Sequence, residues 1–91
     1  MKTIWKYTMN GHKAVFHMPE GAEFLDLQVQ HGNPTMWFVV DDTKPLEDRT
    51  FQFFGTGHEL PENILEDFMF CGTFQIESFV FHTFEEITWG K

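Results

Sequence analysis

Short stretches in which polar and apolar residues alternate run along the whole chain, and residues typical of turns separate them. The clearest stretch spans residues 24–31, where Leu25, Leu27 and Val29 alternate with polar neighbours. A period of two places apolar side chains on one face of a β-strand and polar side chains on the other. This pattern constrains the fold more than any other feature, because it predicts a chain built from half-buried strands.

The same reasoning predicts further strands at residues 2–9, 13–18, 35–40, 49–54, 68–77 and 79–86. Asn10-Gly11 is typical of a two-residue hairpin turn and predicts that the first two strands pair. A turn at Gly32-Asn33-Pro34 predicts a second hairpin. Residues 61–67 fit either a loop or one helical turn that begins at Pro61. The sequence therefore predicts an all-β chain, a single small antiparallel barrel or sandwich of six to seven strands with at most one short helical turn.

The length of 91 residues predicts one domain over residues 1–91, since two self-sufficient cores would need a longer chain. We expect residues 87–91 to form a loose C-terminal tail, although Trp89 within it could dock. Aromatic residues make up 18% of the chain and include twelve phenylalanines. Because so many rings exceed what a small core holds, we expect some of them to form an exposed patch, a feature of protein interfaces.

The charge balance excludes several classes of partner. Fourteen acidic residues against six lysines and arginines give a net charge of -8, and the cations are scattered. Nucleic acids and anionic membrane surfaces both require clustered cations, so neither is an expected partner. The single cysteine, Cys71, fits a reducing compartment. Without an apolar leader or membrane-spanning run in this sequence, we expect a cytoplasmic protein.

One loop carries most of the candidate site residues. After an aromatic strand come Gly55, Thr56, Gly57 and His58, a pattern that could expose backbone amides to an anion and add a hydroxyl and an imidazole. His82 on the last strand is the further candidate, so these five residues form the predicted ligand-binding site. The alternative is a structural bend, because Gly-Thr recurs at residues 72–73 after a second aromatic strand.

The other polar residues give weaker indications. The histidines have no metal-ligand spacing, and we predict no metal, cofactor or catalytic residue. Cys71 lies in an apolar strand, which is typical of a buried cysteine with an unreactive thiol. The acidic residues 41–48 lack the pattern of a calcium loop and are predicted to be a solvated loop around Pro45.

Several segments of the chain form a recognisable set: the opening residues 1–7, Met18-Pro19-Glu20-Gly21-Ala22, and segments 27–30, 37, 55–61, 72–75 and 79–85. Together they resemble a family of small phage and prophage proteins of unassigned function. It covers nearly the whole chain and implies a phage-encoded accessory protein that acts in the bacterial cytoplasm. The family assigns no activity, so no site residue is carried over.

Three functions follow as hypotheses. The first is a non-enzymatic protein that binds and inhibits or modulates a host protein, such as a defence or nucleic-acid-handling factor with a basic surface. The alternative is a protein that binds or sequesters a small anion or nucleotide-like ligand at residues 55–58. A small hydrolase that uses His58 and His82 is the third.

Overall fold

The computed structural model describes residues 1–88 as seven strands and one short helix. Their bounds are β1 Lys2–Thr8, β2 Lys13–Pro19, β3 Glu23–Gln30, β4 Asn33–Asp41, β5 Leu46–Gly55, α1 Ile64–Asp67, β6 Phe68–Ile76 and β7 Phe79–Glu86. The strands form a three-stranded sheet in the order β1-β4-β3 and a four-stranded sheet in the order β2-β5-β7-β6, and all their pairings are antiparallel. The all-β class is confirmed, and the architecture is a sandwich.

The core lies between the two sheets. Met36, Phe38 and Val40 alternate along β4 and are almost fully buried, while Phe51 on β5 faces them from the other sheet. The rings of Phe38 and Phe51 meet edge to face, with their centroids 5.8 Å apart. The other face of β4 carries Trp37 and Val39, which are half-buried, while the neighbouring strands β1 and β3 cover both edges of β4.

The first predicted hairpin is wrong. β1 pairs with β4 and β2 pairs with β5, so the chain crosses between the sheets after β1. The apolar faces of β1 and β2 meet across the core, where the rings of Tyr7 and Phe16 lie 5.2 Å apart. A two-residue type I′ turn requires positive φ at both central residues, and neither Asn10 nor Gly11 has it. Pairing with long-range partners therefore overrides a strong local turn signal.

The second predicted hairpin is confirmed, since β3 pairs with β4, but its turn is shifted. His31 and Gly32 have φ of 51° and 80° and form the turn, so Asn33 already belongs to β4. The regular alternation predicted for β3 also fails at Leu25, because a β-bulge between Phe24 and Asp26 shifts the register. Leu27 is buried, whereas Leu25 is 49% exposed.

Three other boundaries differ from those predicted. The acidic loop shrinks to residues 42–45, because β5 begins at Leu46. The helix begins at Ile64 instead of Pro61, and the amide of Ile64 donates to the Pro61 carbonyl. Of the expected tail, Ile87 is held by a hydrogen bond from its amide to the Asp67 carbonyl, whereas Trp89 and the last two residues lie outside the described part.

A largely buried ion pair joins two strands of the four-stranded sheet. Arg49 on β5 forms two hydrogen bonds, of 2.5 and 2.8 Å, with the carboxylate of Glu85 on β7. The same guanidinium donates to the carbonyl of Ala22, just before β3, and lies 5.4 Å from the centroid of the Phe38 ring. Arg49 therefore ties the two sheets together through interactions that only its planar, multiple-donor side chain can make at once.

Two buried hydroxyls in the described residues have no hydrogen-bond partner, those of Tyr7 and Thr83. An unpaired buried hydroxyl costs free energy, and burial also raises the pKa of Tyr7. We therefore expect Tyr7→Phe to raise the free energy of unfolding by about 1 kcal/mol in urea titrations, and Thr83→Val to act in the same direction. A loss of stability in both variants would show instead that buried water satisfies these hydroxyls.

Candidate functional site

The glycine-rich loop is a tight turn at the end of β5. The amide of Thr56 donates to the carbonyl of Val80, and the amide of His58 donates to the carbonyl of Gly55, both at 3.0 Å. Gly57 adopts a φ of 86°, which favours glycine. Two of the amides predicted to face an anion are therefore already hydrogen-bonded within the protein.

The second Gly-Thr pair also bends a strand. Gly72 follows a β-bulge in β6 and has a φ of 156°. A Cβ atom added there would lie 3.2 Å from Cδ2 of Leu27 on β3, so glycine lets the two sheets approach each other closely. The structural interpretation of the repeated Gly-Thr pair is confirmed for both glycines, since Gly55 ends one strand and Gly72 bends another.

His82 lies on the outer face of the four-stranded sheet between two threonines. Its Nε2 is 2.7 Å from the Thr56 hydroxyl and its Nδ1 is 2.9 Å from the Thr73 hydroxyl. Thr56 can donate to the Val80 carbonyl, at 3.4 Å, while it accepts from Nε2–H, and Thr73 then donates to Nδ1. This imidazole is satisfied at both nitrogens and fastens the turn to β7 and β6.

His58 occupies a different position from His82. Its ring packs over Gly55, where an added Cβ would lie 2.7 Å from the ring atom Cε1. His58, Gly55 and Thr56 line a surface depression of about 360 Å³ together with Ser78 and residues 79–81. The structure thus gathers three of the five predicted residues around one depression, and His82 joins them only through its hydrogen bond to Thr56.

Among residues 1–88, no three histidine, cysteine, aspartate or glutamate side chains are grouped so that they could hold a metal ion. The one helix described is too short to cross a bilayer.

The outer face of the four-stranded sheet carries a feature that the sequence analysis did not locate. Phe54 on β5, Phe84 on β7 and Phe70 on β6 form a continuous row, with ring centroids 6.0 Å apart for the first pair and 5.5 Å for the second. Phe70 is 57% exposed. We call these three residues the aromatic row. The expectation of surplus exposed rings pointed to such a surface, but only strand order and register bring these rings together.

Cys71 lies in the bulge of β6, and its thiol is 3.6 Å from the Met69 carbonyl, to which it can donate. Burial, aided by the nearby charge of Glu85, raises the pKa of the Cys71 thiol to about 12. The thiolate is the reactive form, so we expect alkylation by iodoacetamide at pH 8 to be about 1,000-fold slower than for an unperturbed thiol. Mass spectrometry of samples quenched at successive times would measure the rate of alkylation, with the urea-unfolded chain as control. Equal rates in the two states would contradict this expectation.

Comparisons with known proteins give one match. A family described as "Domain of unknown function (DUF7352)" matches residues 1–89. No curated protein and no solved structure matches the chain.

Proposed function

We propose that the chain, which belongs to the DUF7352 family, is a non-enzymatic protein-binding domain. The description of the family gives no activity, so the proposal rests on the surface of the protein. Following the resemblance to phage and prophage proteins, we take its partner to be a host protein in the bacterial cytoplasm, which it inhibits or modulates. The observation that carries the proposal is the aromatic row.

Aromatic rings on an outer sheet face have no role in the core. Phe54, Phe84 and Phe70 lie on the opposite face from Phe51 and Phe74, which are buried between the sheets. Phe70 is exposed, and Phe54 and Phe84 are half-buried beside it. Rings supported in this way by neighbouring strands contribute large apolar contacts at a small entropic cost. Such clusters are the part of an interface that contributes most of its binding energy.

The charge of the protein indicates the kind of partner. A net charge of -8 steers association toward basic surfaces and disfavours acidic ones. A host protein that handles nucleic acids has such a surface, which agrees with the hypothesis drawn from the sequence.

The experiment compares two variants with equal exposure on opposite sheets. Phe70 and Ile4 are each 57% exposed, and Ile4 lies on β1 in the three-stranded sheet. Wild type, Phe70→Ser and Ile4→Ser would each be immobilised and incubated with host lysate. We expect a host protein that wild type and Ile4→Ser retain and Phe70→Ser does not. With that protein purified, Phe70→Ser should weaken the Kd by at least about tenfold in calorimetry.

Two results would overturn the proposal. The first is that the folded wild-type protein retains no host protein. The second is that Phe70→Ser retains every protein that wild type retains, since the aromatic row would then not be the binding surface.

The depression beside His58 favours the second candidate function, binding of a small ligand. It combines the imidazole of His58 with Thr56, Ser78 and the 62% exposed ring of Phe79, so hydrogen-bonding groups lie beside a stacking face. The hydrogen-bonded amides of Thr56 and His58 weaken the case for a highly charged anion. Thermal shift with a panel of nucleosides and nucleotides tests it. A shift that His58→Ala abolishes would support this function, and the absence of any shift would remove it.

A hydrolase remains the weakest of the three functions. His82 is hydrogen-bonded to two threonines, and His58 lies over Gly55, where no acidic or basic side chain of the described residues is hydrogen-bonded to its ring. The Thr56 hydroxyl lies within hydrogen-bond reach of Nε2 of His82, but the group on the other ring nitrogen is the Thr73 hydroxyl and not a carboxylate, so the pair lacks the acidic residue that usually orients a catalytic histidine.

A further inference from the structure

Each sheet of the sandwich has two edge strands, which pair with a neighbour on one side only. Three of these four edges carry features that hinder pairing with another chain. β3 and β6 each contain a β-bulge, and β2 ends at Pro19, which has no amide hydrogen. β1 has neither a bulge nor a proline along its length, so among the described strands it is the one regular edge.

Hydrogen bonds at the two ends of β1 show which of its backbone groups point outward. The amide of Asp42 donates to the Met1 carbonyl, and the amide of Met9 donates to the Pro34 carbonyl. Because the two kinds of residue pair alternate along antiparallel strands, the odd-numbered residues of β1 bond to β4 and the even-numbered residues point their amides and carbonyls away from it. Among the described strands only β4 pairs with β1, so these outward groups have no strand partner.

The side chains of β1 leave this edge accessible. Lys2 and Lys6 are the only charged residues of the strand. The ammonium of Lys6 donates to Oε1 of Gln30 at 2.9 Å. Since Gln30 lies on β3, beyond β4, this bond holds the charge of Lys6 over the sheet and away from the free edge. Trp5, at the middle of the strand, is 37% exposed.

The lysines also select one register for an antiparallel copy of β1 against itself. A pairing centred at Ile4 places Lys2 opposite Lys6 of the second copy, and one centred at Lys6 places the two Lys6 side chains opposite each other. Like charges in directly opposed positions are destabilising. A pairing centred at Trp5 uses all 7 residues of the strand and places Lys2 opposite Thr8, Lys6 opposite Ile4, and Trp5 opposite its own copy. Each lysine then faces a neutral residue, and its methylene groups can cover Ile4.

We propose that β1 pairs with β1 of a second copy of this chain, antiparallel and centred at Trp5, so that the two three-stranded sheets become one continuous sheet. The even-numbered residues then exchange hydrogen bonds between the copies, and the two Trp5 residues form a non-hydrogen-bonded pair, in which opposed side chains lie closest. A basic strand from another protein would be repelled by Lys2 and Lys6. The net charge of -8 disfavours an acidic strand, whereas β1 itself carries no carboxylate.

This inference is independent of the proposed host-protein function. The aromatic row lies on the four-stranded sheet, and β1 lies on the other sheet. The dimer therefore leaves one aromatic row accessible in each copy, and it presents two binding surfaces to a host protein.

Sedimentation velocity of the full chain tests the dimer. We expect a Kd on the order of 100 µM, because a single strand pair buries less area than a standard interface. Lys6→Pro removes one outward amide, which an edge strand tolerates, and should abolish the dimer. The matched control is Val15→Pro on the edge strand β2. Val15 also points its amide outward, since the amide of Phe53 donates to the His12 carbonyl and fixes the alternation there. Val15→Pro should dimerise like wild type.

A cysteine scan tests the register. Ile4→Cys, Trp5→Cys and Lys6→Cys would each be made in a Cys71→Ala background and oxidised in a glutathione buffer. In the proposed pairing the two Cα atoms of residue 5 lie about 4.5 Å apart, within disulfide range, whereas those of residue 4 or of residue 6 lie about 8 Å apart. We expect Trp5→Cys to form the covalent dimer at least about tenfold faster than the other two variants.

Several results would overturn the proposal. A wild-type chain that stays monomeric up to about 1 mM excludes the dimer, and a dimer that Lys6→Pro leaves intact excludes the edge of β1. Loss of the dimer in Val15→Pro alone would assign it to β2 instead. Cross-linking that is faster in Ile4→Cys or Lys6→Cys than in Trp5→Cys contradicts the register. The cysteine scan also decides the case if Lys6→Pro does not fold.

Discussion

Replacement of Arg49 by methionine is expected to lower the free energy of unfolding by about 3 kcal/mol, because it leaves the Glu85 carboxylate without its partner inside the sandwich. The side chains of Arg49 and Glu85 are only 18% and 15% exposed, so water cannot replace the lost hydrogen bonds. The variant also loses the bond to the Ala22 carbonyl and the stacking of the guanidinium on Phe38. Urea titration would measure the change.

Two control variants separate charge from geometry. Arg49→Lys keeps the positive charge but cannot bind Glu85 through two parallel bonds and Ala22 at the same time, so we expect about half the loss. Arg49→Met/Glu85→Leu removes both charges and should recover at least half of the stability lost by Arg49→Met alone. If Arg49→Met differs from wild type by less than about 1 kcal/mol, the pair behaves like a surface ion pair and does not hold the sheets together.

Phe38→Ala is expected to be the most damaging single truncation in the core, at a cost of about 4 kcal/mol. Phe38 is fully buried, and its ring meets those of Tyr7, Phe24 and Phe51. A domain of this size has a total stability on the order of 5–14 kcal/mol, so the variant would lose a large share of it. Thermal unfolding followed by circular dichroism would show the fall in Tm.

The matched control for this truncation is Phe79→Ala. The substitution removes the same atoms, but Phe79 is 62% exposed, so its cost should stay below about 1 kcal/mol. Phe38→Leu should lie between the two, since it refills most of the cavity. Similar losses for Phe38→Ala and Phe79→Ala would contradict the position of the core between the sheets.

Strand positions were predictable because alternation is a local property of the sequence. All seven predicted strands exist, and every strand end lies within three residues of its predicted position. Pairing depends on distant residues and was not predictable in the same way, as the Asn10-Gly11 turn shows. A bulge is equally hard to foresee, and Leu25 therefore moved from an expected core position to the outer face.

The aromatic row was not predictable from the sequence because of the same kind of irregularity. Phe70 and Phe74 are four residues apart and would share one face of a regular strand. The bulge between Phe70 and Gly72 sends Phe70 to the outer face, whereas Phe74 is buried. The alternation of odd and even positions along the sequence therefore could not distinguish core rings from surface rings. The repeated Gly-Thr pair was interpretable from sequence as a structural bend, whereas the close approach of Gly72 to Leu27 on the other sheet was not, because it depends on the packing of distant strands.

The crossing of the chain between sheets after β1 also bears on how the protein folds. β1 can pair only once β4 is available, about thirty residues later in the sequence, and β2 depends on β5 at a similar separation. Contacts so distant in sequence slow the search for the native pairing, so we expect folding on the order of milliseconds to seconds. During synthesis β2 emerges before β5, the strand that it pairs with, so the backbone edge of β2 that pairs with β5 stays open to other chains until β5 has left the ribosome.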